Sequence, residues 1–264
     1  MKDNVVVVTG ASKGIGAELA RQLAAKGAKL VLAARNEKEL EAVAADCRKA
    51  GASVVTVKAD VAVERDCQAI VAGAVLAFGR LDTLVNNAGV SMWARFEDID
   101  DVSILERIMQ VNYMGAVYCT RHALPHLRAV RGRIVGIASL AGRTGVPTRS
   151  GYAASKHAMT GFFDSLRIEL ADAGVTVTMI YPGFVSTGIR ENATGPDGKA
   201  IMVSPVKEGE VMGVEECARR IVKAIGKRER EVVMTARGKI GLWLKLLAPS
   251  LVDRLARRAI ETGR

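Results

Sequence analysis

Short, unbroken apolar runs recur along this chain, each set off from the next by a stretch of helical periodicity. The first is Val5-Val6-Val7-Val8, inside residues 4–9. Comparable runs rich in Val, Ile and Leu occupy 29–33, 53–58, 83–86, 133–138 and 175–181, with a last one at 231–234. A strand that is apolar at every position, not at alternate ones, is buried on both faces. That is the condition of a parallel sheet covered by helices on either side. Helical patterns start near Gly14, Glu37, Glu64, Ser103, Gly151 and Val214. The expected fold class is α/β: one doubly wound parallel sheet with helices on both faces, without internal repeat or interdomain linker. A length of 264 residues suits one large domain of this kind.

Charge is distributed unevenly. Residues 219–264 carry 13 Lys+Arg against 4 Asp+Glu, a net +9 of the whole chain's +10. The basic character thus belongs to the C-terminal part, and no nucleic-acid-binding module pattern accompanies it, so no nucleic acid partner is expected. Cys47, Cys67, Cys119 and Cys217 form no C-x-x-C pair, which points to a reduced, cytoplasmic setting and not to a disulfide framework. The first strand begins only a few residues from the start, which leaves no room for a signal peptide. No apolar run reaches the ~18 residues of a membrane span. His122 and His126 are four apart, but no third ligand lies nearby and Pro125 interrupts them, so no metal is expected.

Two motifs carry the chemistry. Thr9-Gly10-Ala11-Ser12-Lys13-Gly14-Ile15-Gly16 joins the first strand to the first helix. Glycines there permit a sharp turn and a close backbone approach, and a helix N-terminus at a strand end is where a dinucleotide pyrophosphate sits. The spacing G-x-x-x-G-x-G departs from G-x-G-x-x-G, so the turn alone could be purely structural. Much later, Tyr152 and Lys156 lie four apart on one helical face. An ammonium beside a phenol favours the phenolate, which fits a phenol for donating and accepting protons.

The glycine turn, Asn86-Asn87-Ala88-Gly89, Val111-Asn112-Tyr113, Ser139, Tyr152-x-x-x-Lys156 and Pro182-Gly183-x-x-x-Thr187, in that order, resemble the short-chain dehydrogenase/reductase family. The resemblance runs from residue 5 to about 190. It implies a Rossmann-type domain over residues 1–235 and a catalytic set of Asn112, Ser139, Tyr152 and Lys156. Tyr152 is then the general acid/base, and Lys156 supports it and bonds the nicotinamide ribose. Ser139 donates to the carbonyl or alkoxide oxygen, and Asn112 holds a water that links Lys156 to solvent. The implied cofactor site comprises Gly10, Ser12, Lys13, Gly14, Ile15 and Gly16. Asp60 and Val61 contact the adenine, Asn87, Ala88 and Gly89 pass the adenosine ribose, and Pro182, Gly183, Val185 and Thr187 hold the carboxamide. The second apolar run ends Ala33-Ala34-Arg35, with no acid at the place that selects a free 2′-hydroxyl. Basic residues at Arg35 and Lys13 resemble the pattern that prefers NADP(H) over NAD. Glu37 is assigned to the first turn of a helix.

Residues 186–213, with Gly195-Pro196-Asp197-Gly198, are expected to form a substrate loop or lid. Met92, Trp93, Phe96, Phe184, Met202 and Met212 are candidate apolar walls, with Met92, Trp93, Phe184 and Ser139 expected at the pocket itself. Arg95, Arg143 and Arg149 are candidates for meeting an anionic substrate group. The expected reaction is hydride transfer between NADP(H) and a hydrophobic ketone, aldehyde or secondary alcohol. Two alternatives stand beside it: reduction of 3-oxoacyl groups on acyl carrier protein, and a non-catalytic nucleotide sensor. The family resemblance implies a homodimer or homotetramer built on the helices at 103–129 and 151–171. Residues 236–264 form a basic amphipathic extension. It contains an apolar stretch with Trp243, then a segment with Leu251, Val252, Leu255, Ala256, Ala259 and Ile260 on one face and Asp253, Arg254, Arg257 and Arg258 on the other. Such a pattern suits a peripheral membrane contact. A cover for the substrate crevice or for a neighbouring subunit is the equal alternative.

Overall fold

The computed structural model describes residues 1–189, 191–203 and 211–261. Part of the expected lid (190 and 204–210) and the chain end (262–264) therefore lie outside the described residues, as do the side chains of Ala259, Ile260 and Glu261.

The described strands form one sheet in the order β3-β2-β1-β4-β5-β6-β7, parallel throughout. They are β1 (Val5–Thr9), β2 (Lys29–Ala34), β3 (Val54–Lys58), β4 (Thr83–Asn86), β5 (Arg133–Ile137), β6 (Thr176–Tyr181) and β7 (Glu231–Val233). The expected strands differ from these by at most a residue at either end. In β1 all five residues are buried, and alternate ones serve different cores. Val6 and Val8 pack with α1 (Gly14–Ala24), α2 (Glu37–Lys49) and α7 (Val214–Lys227). Val5 and Val7 pack with α3 (Glu64–Phe78), α5 (Gly115–Ala129) and α6 (Ser150–Glu169). The two-sided burial read from the sequence is thus realised by period-2 alternation.

The single helix expected at 103–129 is a composite. It comprises α4 (Ser103–Met109), a π-helical turn at Gln110–Met114, and α5, which runs on through Pro125. Such a turn adds a residue to one helical revolution and is common at functional sites. On the outer face of α5, His122 and His126 share a shallow depression with Val71, Val75 and Leu76 of α3. His122 Nε2 lies 3.4 Å from Glu64 Oε1. No group of three metal-ligating side chains occurs among the described residues.

The extension folds as α8 (Ala236–Leu247) and α9 (Pro249–Glu261), packed on each other. Thr235 caps α8 by accepting from the Gly238 N–H at 3.0 Å, and Lys245 Nζ donates to the Arg143 carbonyl at 3.0 Å. Its outer side keeps large apolar groups in solvent: Trp243 is 72% exposed and Leu246 76%. No described helix is long and apolar enough to cross a membrane.

Candidate active site

The sheet order reverses between β1 and β4, and at that switch point the strand ends open into a cleft of about 870 Å³. One wall is the glycine turn, whose geometry excludes larger residues. Gly10 has φ +65°, and a Cβ there would meet Ala88 Cα at 2.8 Å. A Cβ on Gly16 would stand 2.3 Å from the Gly10 carbonyl oxygen, so Gly16 closes the turn against α1 and is not itself on the cleft surface. Asn87 ties this wall to the next one: its Nδ2 donates to the Thr9 carbonyl (2.9 Å) and the Gly10 carbonyl (3.1 Å). Thr9 Oγ1 in turn accepts from the N–H groups of Asn87 and Ala88. The result is a bare backbone cradle at a helix N-terminus, the shape and donor set that a dinucleotide pyrophosphate requires.

Gly10, Ser12, Lys13, Gly14, Ile15, Arg35, Asp60, Val61, Asn87, Ala88, Gly89, Pro182, Gly183, Val185 and Thr187 all line this cleft, and so do Ser139, Tyr152 and Lys156. Segments from six strand ends thus converge as the motifs anticipate. Asp60 also serves the local backbone, its Oδ1 accepting from the Ala62 N–H at 3.0 Å. Ser139, at the end of β5, likewise caps a short 3₁₀ turn through a 3.2 Å bond from the Ala141 N–H. Its hydroxyl therefore has a fixed position at the cleft.

Tyr152 and Lys156 stand one turn apart near the start of α6, exposed by 6% and 3%. Lys156 Nζ donates to the Ile137 carbonyl at 2.9 Å and lies 5.9 Å from the Tyr152 ring centre. Burial pushes the Lys156 ammonium below its ordinary pKa; Tyr152 pulls it back up and Arg149 pushes it down again.

Asn112 sits in the π turn, 1% exposed and behind the cleft surface. Its Oδ1 accepts from the Val90 N–H at 2.8 Å, while Nδ2 donates to the Val90 carbonyl and to Ser155 Oγ, both at 2.9 Å. Its amide is thus committed to protein groups, bonding both backbone groups of Val90 and the Ser155 hydroxyl. A Cβ on Gly89 would come within 3.1 Å of Asn112 Oδ1 and 3.4 Å of Lys156 Nζ, so the backbone of that segment threads between them.

The substrate end departs most from expectation. Met92 is fully buried, packed with Ile108, Ala141, Tyr152 and Ala153 behind the wall. Phe96 (63% exposed) and Met202 (73% exposed) face solvent, and Met212 packs on the core beneath the sheet. Phe184 lines the cleft, whereas Trp93 stands behind it against Arg149. Arg95 pairs with Glu97 and Arg143 with Glu231, both away from the cleft. Arg149 alone of the three arginines lines it. It is 7% exposed and donates from Nη2 to Ser91 Oγ at 2.7 Å. Its guanidinium carbon lies 4.3 Å from the Tyr152 ring centre, 5.7 Å from Trp93 and 5.9 Å from Phe184, a cation held among three rings. Ile104, Ile108 and Ile189 supply apolar surface, while Asp100, Asp101, Arg107 and Asp197 add charge that the sequence reading did not assign to the site. No described residue of α8 or α9 lines the cleft, so the described part of the extension does not cover it.

At the other end, Lys13 Nζ is 2.7 Å from Glu39 Oε1 and Arg35 Nη1 is 4.0 Å from Asp60 Oδ2. Glu37 pairs outward with Lys58 and is not on the cleft. The α2 carboxylate that does line it is Glu39, in the first turn of that helix, which the sequence reading passed over in favour of Glu37.

A family model described as short chain dehydrogenase matches residues 4–197. Similar proteins include an 11-beta-hydroxysteroid dehydrogenase-like 4A from Arabidopsis thaliana, 40% identical over 94% of this chain and 82% of that one. An 11-beta-hydroxysteroid dehydrogenase 1A from the same organism is 38% identical over 98% and 76%. A dehydrogenase/reductase SDR family protein 7-like from Dictyostelium discoideum is 35% identical over 97% and 82%. Among solved structures, a short chain dehydrogenase/reductase from Burkholderia phymatum in complex with NAD superposes with a TM-score of 0.83 at 28% identity, each chain covered to 95%.

Proposed function

The chain belongs to the short chain dehydrogenase family, an oxidoreductase family that uses NAD(P), and from that membership we propose an NADP(H)-dependent enzyme that interconverts a ketone and a secondary alcohol on an apolar small molecule. The observation that carries the reading is that Ser139, Tyr152 and Lys156 line the same cleft as the glycine cradle. When bound, the nicotinamide supplies or accepts the hydride. Tyr152 gives its phenolic proton to the carbonyl oxygen in reduction and takes it back in oxidation. Ser139 donates a hydrogen bond to the same oxygen, steadying the charge that develops there. Lys156 holds positive charge beside the Tyr152 ring and is kept in place by the Ile137 carbonyl. Lys13 and Arg35 are the cations available to a 2′-phosphate.

Two relatives carry hydroxysteroid dehydrogenase names, and this cleft has apolar surface in Ile104, Ile108, Phe184 and Ile189. A rigid polycyclic ketone or alcohol of the hydroxysteroid kind is therefore the substrate class assigned. The exposed apolar face of α8 and α9, flanked by Arg and Lys, is assigned to the surface of an anionic membrane, with the enzyme itself cytoplasmic. A homo-oligomer is the assigned assembly.

Replacing Tyr152 with Phe removes only the transferable proton. Turnover of a steroid ketone panel with NADPH is expected to fall by about 1,000-fold or more, while NADPH binding, read by nicotinamide fluorescence, stays within roughly twofold. Turnover at the wild-type rate in that variant would overturn the mechanism.

A further inference from the structure

The end of the cleft nearest α2 is not a simple basic pocket. Its two cations each face a carboxylate that lines the same cleft: Lys13 faces Glu39 at 2.7 Å and Arg35 faces Asp60 at 4.0 Å. Glu39 is fixed from below. Its backbone N–H donates to Asn36 Oδ1 at 3.2 Å, the cap that starts α2, so its place in the first helical turn is set by the fold. Its side chain is the less exposed partner of the Lys13 pair, at 33% against 64%. Glu37, the acid nearer to Arg35 in sequence, points away to Lys58.

We propose that Glu39 is a specificity-determining residue for the dinucleotide: its carboxylate competes with the 2′-phosphate of NADP(H) for Lys13, and it accepts from the free 2′-hydroxyl of NAD(H). This deepens the reading above and rests on its assignment of Lys13 and Arg35 to the 2′-phosphate. The physical argument has two parts. A 2′-phosphate brings one to two negative charges to a site where a carboxylate already neutralises Lys13, so Glu39 must be displaced from it and repels the newcomer. A ribose 2′-hydroxyl carries no charge, leaves the Lys13–Glu39 pair intact and finds in Glu39 an acceptor of the type that NAD-selective sites use. The consequence is a protein whose preference for NADP(H) is held down, so that both dinucleotides bind.

The test uses the full-length protein, NADPH and NADH, and the rise in nicotinamide fluorescence on binding. Glu39→Gln keeps the shape and an acceptor oxygen but removes the charge. It is expected to tighten NADPH about fivefold to tenfold, the upper range for a partly exposed pair plus the relieved repulsion, and to leave NADH unchanged or weaker. The NADPH gain is expected to shrink as salt is raised, because it is electrostatic. Equal changes for both dinucleotides, or no change for either, would overturn the proposal, since a packing role for Glu39 does not distinguish them. Lys13→Met separates this from the parent reading. A loss of NADPH but not NADH affinity in that variant places the phosphate at Lys13. NADPH binding unaffected in Lys13→Met would remove the phosphate assignment itself, and with it the role given to Glu39.

Discussion

Asn112 shows what single residues do here and how much of that can be read ahead. Its place in Val111-Asn112-Tyr113 is enough to pick it out, but its partners Val90 and Ser155 lie 22 and 43 residues away in the chain, and nothing local announces them. The side chain satisfies both backbone groups of Val90 and the Ser155 hydroxyl, which itself donates to the Tyr152 carbonyl at 2.8 Å. Asn112→Ala strands these buried groups. It is expected to destabilise the fold by about 2–4 kcal/mol, measured by urea unfolding, because unpaired buried polar groups cost more than the bonds they replace. Arg149 was legible only as one arginine among three. Its enclosure by Tyr152, Trp93 and Phe184 depends on a helix start, a β4 loop and a β6 loop that meet only in the folded chain.

At the scale of elements, the helices that cover the sheet carry the four cysteines inward: Cys47 on α2, Cys67 on α3, Cys119 on α5 and Cys217 on α7, all buried. Burial pushes the Cys47 thiol up to about 11 and the Cys217 thiol up to about 12. The bond from Cys67 and then burial push Cys119 up as well. At pH 8 the Cys47, Cys119 and Cys217 thiolates are therefore minor forms and all four side chains are buried, so folded protein is expected to resist an aromatic disulfide reagent until guanidinium exposes them. The sign for stability follows. Unfolded thiols lose their protons near ~8.5 while folded Cys47, Cys119 and Cys217 keep them, so raising the pH from there toward 11 favours the unfolded chain. Denaturant midpoints at pH 8 and pH 10 check this, with the lower midpoint at pH 10. Spacing alone indicated free cysteines, but the inward direction of each needed the helix phase. The π turn inside 103–129 had no local signature either, since Gln110–Met114 contains no Gly or Pro to mark it.

On the scale of the whole molecule, the sheet was readable because Val5-Val6-Val7-Val8 and the Val-, Ile- and Leu-rich runs that follow it place apolar residues at successive positions, as strands of a doubly covered parallel sheet do. The relation of the extension to the rest was not, because an amphipathic pattern says that a face is covered without saying by what. The structure removes one occupant: α8 and α9 leave the cleft open, and α8 rests on the segment after Ser139, through Lys245 and the Arg143 carbonyl. Their far side leaves Ile240, Trp243, Leu246 and Leu247 in water. Residues 236–264 also hold seven Lys+Arg against two Asp+Glu, half of the excess positive charge of the chain. Exposed apolar side chains beside such an excess suit an anionic lipid surface, where each cation contributes about 1 kcal/mol within a Debye length. The full-length protein is expected to sediment with phosphatidylserine vesicles, less with neutral ones, and to be released by high salt. Protein truncated after Thr235 is expected to stay in the supernatant and still bind NADPH, since no described residue of α8 or α9 touches the cradle. Equal sedimentation of both forms would remove the membrane assignment. A fall in oligomeric size on truncation, without any lipid dependence, would give the same apolar face to a second copy of the chain.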